Sequence, residues 1–105
     1  MSEYKLVYIT TPTLDEATRI GRAMVDQRLA ACANILPGMK SIYRWKGAVH
    51  EDDETVLIVK TSAALVEPLT AAVKALHSYE CPCIVVLDIE PGNAAYFAWL
   101  AESLV

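Results

Sequence analysis

Apolar and polar positions along the chain change period several times, and each change marks an element. From Glu3 to Thr11 the sequence is dominated by Tyr4, Leu6, Val7, Tyr8, Ile9 and Thr10. Such a run is too continuous for a strand with one wet face and predicts a central strand. Ala17, Ile20, Gly21, Met24 and Val25 then recur at three- and four-residue intervals, with Asp15, Arg19, Arg22, Asp26 and Arg28 on the other face. That spacing predicts an amphipathic helix packed on a sheet. Thr13 and Glu16 stand at the spacing of a capping box, in which each side chain satisfies a backbone N–H at the helix start.

A second strand is expected from near Ala31, interrupted at Pro37-Gly38 and resumed through Ser41–Trp45. Proline lacks a backbone donor and glycine tolerates a bend, so the pair reads as a bulge or kink within one strand. Lys46-Gly47 reads as a turn or local bulge, Glu51 to Glu54 as a solvated acidic segment, and Thr55 to Thr61 as the returning strand. Ser62 is a candidate N-cap for a helix carrying Leu65, Leu69, Val73 and Leu76 on one face. Pro68 requires either a distorted first turn or a regular start near Glu67. His77 closes this helix, Cys81 to Ile89 reads as a further strand, and Asn93 caps a last helix with Tyr96, Phe97, Leu100 and Leu104 on its apolar side.

The order strand, helix, strand, strand, helix, strand, helix predicts an α+β fold. Its first six elements match the ferredoxin-like split βαβ pattern, a four-stranded sheet with two helices on one face. All 105 residues form one domain, 1–105, with no repeat or linker. The hairpin is large for so short a chain, and the second sheet face needs a cover, so both are natural meeting places for subunits.

Composition sharpens this. An apolar share of 54% is high for a small domain, which has much surface for its volume. Part of that apolar surface is therefore expected to be buried between subunits. A net charge of −4 with scattered basic residues argues against a nucleic-acid partner. The longest apolar stretches fall well short of a membrane span, and Met1 to Lys5 lacks the plan of a signal peptide. Three cysteines without scaffold density fit a reducing, cytoplasmic setting.

The segments Leu29–Ile35, Pro37-Gly38, Ser41–Gly47, Glu54, Lys60-Thr61, His77–Glu80 with Pro82, and Tyr96–Trp99 resemble, in order and spacing, the CutA divalent-cation tolerance family across nearly the whole chain. The resemblance implies a heat-stable homotrimer in which three sheets pack around an axis and the long hairpins join neighbours. It also implies a link to copper or other divalent metals; no enzymatic activity and no organic cofactor are expected. A trimeric small-molecule sensor or adaptor similar in plan to the PII proteins, with ligand clefts between subunits, is the alternative. The chain has no Gly-rich phosphate cradle, Ser-His-Asp ordering or closed metal motif that would point to an enzyme.

Three residues stand out as candidate metal ligands: Cys32, His77 and Cys83. A Cys32 thiolate suits a soft or borderline ion, whereas the same side chain between two alanines also suits a small core position. His77, at a helix end, is either a ligand or a cap. The family pattern around it is His-Pro-Tyr-Glu, and Ser78 replaces its proline. Cys81-Pro82-Cys83 departs further, with thiols where the family has an aliphatic residue and a glutamate. On a strand these two cysteines would share a face and could grip one soft ion. If the hairpin lies as the resemblance implies, Tyr43, Trp45, Lys60, Tyr79 and Glu80 line an intersubunit pocket. His50 and the acidic run read as solvated, and Asp88 as a partner for a lysine or arginine of a neighbouring subunit.

Overall fold

The apolar run at the start becomes strand β1, Tyr4–Thr11, in the computed structural model of the chain, which describes residues 3–105. Met1 and Ser2, part of the segment read against a signal peptide, lie outside the described residues. Helix α1, Leu14–Asp26, follows, and Thr13 caps it by accepting the Glu16 N–H at 3.1 Å. Only half of the expected capping box forms. The Glu16 carboxylate turns inward and accepts the Ser78 N–H at 3.0 Å, tying α1 to a distant loop.

Strands β2, Cys32–Trp45, and β3, Ala48–Ser62, pair along their length around the two-residue turn Lys46-Gly47. Both turn residues have positive φ, 50° and 81°, as a tight turn matched to strand twist demands. The acidic run is not a free segment: Glu51 to Glu54 lie within β3, each opposite a β2 residue, and Glu54 is buried. A 3-10 turn, Ala63–Leu65, precedes helix α2, Val66–Leu76, so the chain reaches regular helix just ahead of Pro68. In the first turn its missing N–H costs no helical bond. Strand β4 covers Ile84–Ile89 and helix α3 covers Ala94–Ser103, capped by Asn93. The expected strand start at Cys81 is therefore corrected to Ile84. Pro82 has no N–H for a ladder, and Cys81–Cys83 form a loop edge before the pairing begins.

The sheet order is β2-β3-β1-β4 with every pair antiparallel, the ferredoxin-like arrangement expected. Val7, Ile9, Leu57 and Val59 point to one face, where they meet Ala17, Ile20 and Met24 of α1 and Leu69 and Val73 of α2. Each such large side chain removed from water contributes about 1.5–3 kcal/mol. Tyr4, Leu6, Lys60 and Cys32 point to the opposite face. There α3 covers one end, with Phe97 against Tyr4 and Leu100 fully buried. The rest of that face has no helix, and Leu36, Val85 and Leu87 are about half exposed on it. Asp88 finds its cation within the chain, pairing with Lys5 on adjacent β1, which corrects the expected intersubunit partner. That lysine, by its hydrogen bond, holds the Asp88 carboxyl below the usual carboxylate range.

Pairing jumps from Leu36↔Val56 to Met39↔Glu54, so Pro37-Gly38 inserts one extra residue into β2. Even-numbered residues of β2 face the open side before the bulge, and odd-numbered residues face it afterwards. Gly38 has φ 85° with open space around the position of a Cβ, so any penalty there is conformational. Gly38→Ala should destabilise the fold by about 1–2 kcal/mol through left-handed backbone strain, measured by urea unfolding.

Candidate functional site

Past the bulge, Met39, Ser41, Tyr43 and Trp45 form one row along the arm, facing the same side as Tyr8 and Thr10 of β1 and Glu54 of β3. The loop after α2 brings Tyr79, Glu80, Cys81 and Cys83 to the same space. Together these residues enclose a cleft of about 500 Å³, lined also by Ile42. Lys46 at the tip of the hairpin lies 3.4 Å from both Glu80 carboxylate oxygens, so the arm must curve toward the loop, as a bulge permits.

The loop is held from below by His77. Its Nε2 lies 2.8 Å from the Thr10 carbonyl oxygen, which can only accept, so Nε2 carries a proton. Its Nδ1 accepts the Tyr79 N–H at 3.0 Å and stands 3.3 Å from the Glu16 carboxylate. The side chain is fully buried. Both ring nitrogens are committed, and the free imidazole expected at the helix end is replaced by an internal anchor.

Inside the cleft, Tyr79 donates its hydroxyl to Glu54 at 2.7 Å. On the arm, Tyr43 donates to Asp52 at 2.6 Å and stacks on His50, giving that histidine a place against an aromatic ring. Burial first, then the bond to Glu54, pushes the Tyr79 phenol well above its ordinary value. The bond to Asp52 raises that of Tyr43. Both side chains therefore stay neutral at any physiological pH.

The other candidates lie elsewhere. Cys32 and Lys60 are cross-strand neighbours beside α3, with Sγ 3.7 Å from the Tyr96 hydroxyl and 3.8 Å from Lys60 Nζ. Lys60 also donates to Asn34 at 3.2 Å. It pairs with Leu6, whereas His77 bonds Thr10, four residues along β1 and about 13 Å away by strand rise. Cys83 precedes β4, on the edge of the sheet opposite to β2. The structure thus gathers Tyr43, Trp45, Tyr79, Glu80 and Cys83 in one cleft and leaves Cys32, His77 and Lys60 outside it. Among the described residues no three His, Cys, Asp or Glu side chains are placed to hold one metal ion. Glu54, Tyr8 and Met39 were not singled out from the sequence as site residues. Only the parity change at Pro37-Gly38 could have put Met39 beside Tyr8, whose hydroxyl lies 3.3 Å from its sulfur.

Tyr79→Phe should cost about 1–2 kcal/mol at neutral pH, because it strips a buried carboxylate of its donor. The folded-state pKa of Tyr79 lies above the unfolded value, so this contribution is fully present below about pH 10 and is lost as pH rises beyond it. Urea unfolding at pH 8 and pH 11 should show the gap between wild type and Tyr79→Phe narrowing at the higher pH.

Comparison with known proteins accords with this architecture. The family model described as CutA1 divalent ion tolerance protein matches residues 5–103. The chain is 50% identical over 99 residues to the divalent-cation tolerance protein CutA of Thermus thermophilus, covering 94% of this chain and 96% of that one. It is 41% identical over 95 residues to the human protein CutA, covering 90% of this chain and 53% of that one, so it spans about half the length of such animal relatives. The plant relatives, named chloroplastic, are covered to a similar extent. The crystal structure of CutA from Xylella fastidiosa superimposes with a TM-score of 0.95 at 35% identity, over 99% of this chain and all of that one. These matches extend from β1 through α3, including the bulged hairpin and the loop that together form the cleft, and the chain belongs to the CutA1 divalent ion tolerance family.

Proposed function

We propose that the chain acts without catalysis, as a homotrimer that takes up copper or another thiophilic metal ion as cargo and so contributes to metal tolerance. The observation that carries the metal reading is that Cys81 and Cys83 line the same cleft and neither is joined in a disulfide. Cys32, His77 and Cys83 do not fit a single ion, since they lie apart and the imidazole nitrogens of His77 are committed. Two thiolates suffice for Cu(I), which soft sulfur ligands select. They fall short of the four ligands of a structural zinc site. Within one chain the donor set therefore favours copper. Thiol ligands must stay reduced, which suits a cytoplasmic or other reducing setting.

Association is supported by what one chain leaves bare. Leu36, Val85 and Leu87 on the open sheet face, Ile42 and Val49 on the arm, and Trp99 of α3 are each more than 40% exposed. With the arm, the molecule measures 45 × 24 × 23 Å, long enough to reach a neighbouring subunit.

Light scattering at micromolar concentration should return three chain masses, and a monomer would overturn the trimer. In a competition titration of the reduced, metal-free protein, Cu(I) should bind stoichiometrically and more tightly than Zn(II). A Cys81→Ser/Cys83→Ser variant should lose that site, while Cys32→Ala and His77→Ala keep it. Loss in Cys32→Ala alone would move the ligand to the α3 end of the sheet.

A further inference from the structure

The His77 side chain is fully buried and that of Glu16 nearly so, within a single chain, between the start of α1 and the end of α2. Their burial therefore does not depend on a second subunit. Nε2 of His77 is fixed as a donor by the Thr10 carbonyl at 2.8 Å, so Nδ1 is the ring position at which a proton can be gained. Nδ1 has two neighbours of opposite kind. The Tyr79 N–H, 3.0 Å away, needs an acceptor, whereas Glu16 Oε2, 3.3 Å away, offers one. A neutral ring serves Tyr79 and sets two acceptor atoms, Nδ1 and Oε2, against each other. An imidazolium serves Glu16 and takes the acceptor away from the Tyr79 N–H.

The charges around the ring are few. It is faced by Glu16 from α1, by the uncharged Thr10 carbonyl from β1, and by the Tyr79 ring from the loop, with 4.8 Å between centroids. Glu54 of β3 lies beyond Tyr79, at the far end of its hydroxyl bond, and Lys74 in the last turn of α2 is exposed. Among the described residues no lysine or arginine pairs with Glu16. A proton added at Nδ1 thus meets a carboxylate that has no other cation. Oε2 also accepts the Ser78 N–H at 3.0 Å, and an oxygen with two lone pairs can hold both donors. A proline at this position, as in the family pattern, would bring no N–H, so this second tie belongs to the serine.

We propose that His77 and Glu16 form a proton switch for the loop after α2: a proton taken from water at Nδ1 changes that atom from acceptor of the Tyr79 N–H to donor to Glu16 Oε2. The ring stays in place through Thr10. The loop loses its backbone tie at Tyr79 and keeps the one at Ser78. Tyr79 is the residue whose hydroxyl bonds Glu54, so acid loosens the part of the cleft wall that it forms. The device needs neither a bound metal nor a neighbouring subunit, so it stands apart from the copper and trimer readings.

Proton–nitrogen correlation spectra of the His77 ring in the metal-free protein, from about pH 8 to about pH 5, report the state of each nitrogen, while amide exchange reports the loop. Nδ1 should pass from unprotonated to protonated in one transition. Across it the protection factor of the Tyr79 amide should fall about fivefold or more, while that of Ser78 holds. Glu16→Gln should lower the midpoint by at least about one pH unit, because the cation loses its counter-charge. Ser78→Pro, which the extended His77 backbone at ψ 141° accepts, frees Oε2 for Nδ1 and should raise the midpoint. An Nδ1 unprotonated down to about pH 5, or already protonated at about pH 8, would overturn the proposal. So would a transition that leaves Tyr79 protection unchanged, a Glu16→Gln midpoint equal to that of wild type, or a lowered midpoint in Ser78→Pro.

Discussion

One extra residue in β2 determines what the rest of the molecule can present. Pairing between β2 and β3 runs the length of the hairpin, but the insertion at Pro37-Gly38 reverses which side chains face the open side of the sheet. Before it, Cys32, Asn34 and Leu36 face that side; after it, Met39, Ser41, Tyr43 and Trp45 do. Without the bulge, Lys40, Ile42 and Arg44 would take those places, and the row facing Tyr8 and Glu54 would carry two cations. The bulge also bends the arm, which is how Lys46 at its tip reaches Glu80.

The opposite wall depends on a short loop that is held unusually firmly. His77 bonds the β1 backbone at Thr10 through one nitrogen and the loop backbone at Tyr79 through the other. Glu16, released from its capping role, reaches across from α1 to the Ser78 N–H. Three elements thus fix the position from which Tyr79 donates to Glu54. The buried polar groups here act as a frame for the cleft, and no buried side-chain nitrogen or oxygen among the described residues is left without a partner.

Element order and topology were legible from hydrophobic period, and so was the bulge, because proline and glycine act through local backbone geometry that sequence states directly. Asn93 and Thr13 capped as their side-chain chemistry dictates. What stayed hidden depended on long-range placement. Glu54 looked like the end of a solvated acidic run, yet alternation along β3 and its position opposite Met39 bury it. His77 looked available because its helix end was visible, whereas Thr10, 67 residues away in sequence, was not. Cys81 and Cys83 were paired by a strand argument that Pro82 defeats, although the loop brings both to one cleft all the same. Lys60 was grouped with the aromatic arm, but its place beside Leu6 puts it under α3, over the ring of Tyr96. Resemblance identified which residues belong to the family pattern; register decided which of them meet.

The central claim is that the bulge turns the odd-numbered residues of the arm toward β1. A nuclear Overhauser spectrum of the protein with labelled methionine methyl groups measures this directly. The account predicts a cross-peak between the Met39 methyl and the ring of Tyr8, whose hydroxyl lies 3.3 Å from the Met39 sulfur. A Tyr8 ring that instead shows contacts to the Lys40 side chain, with none to Met39, would mean that β2 runs on without the inserted residue, and the cleft as described would not exist.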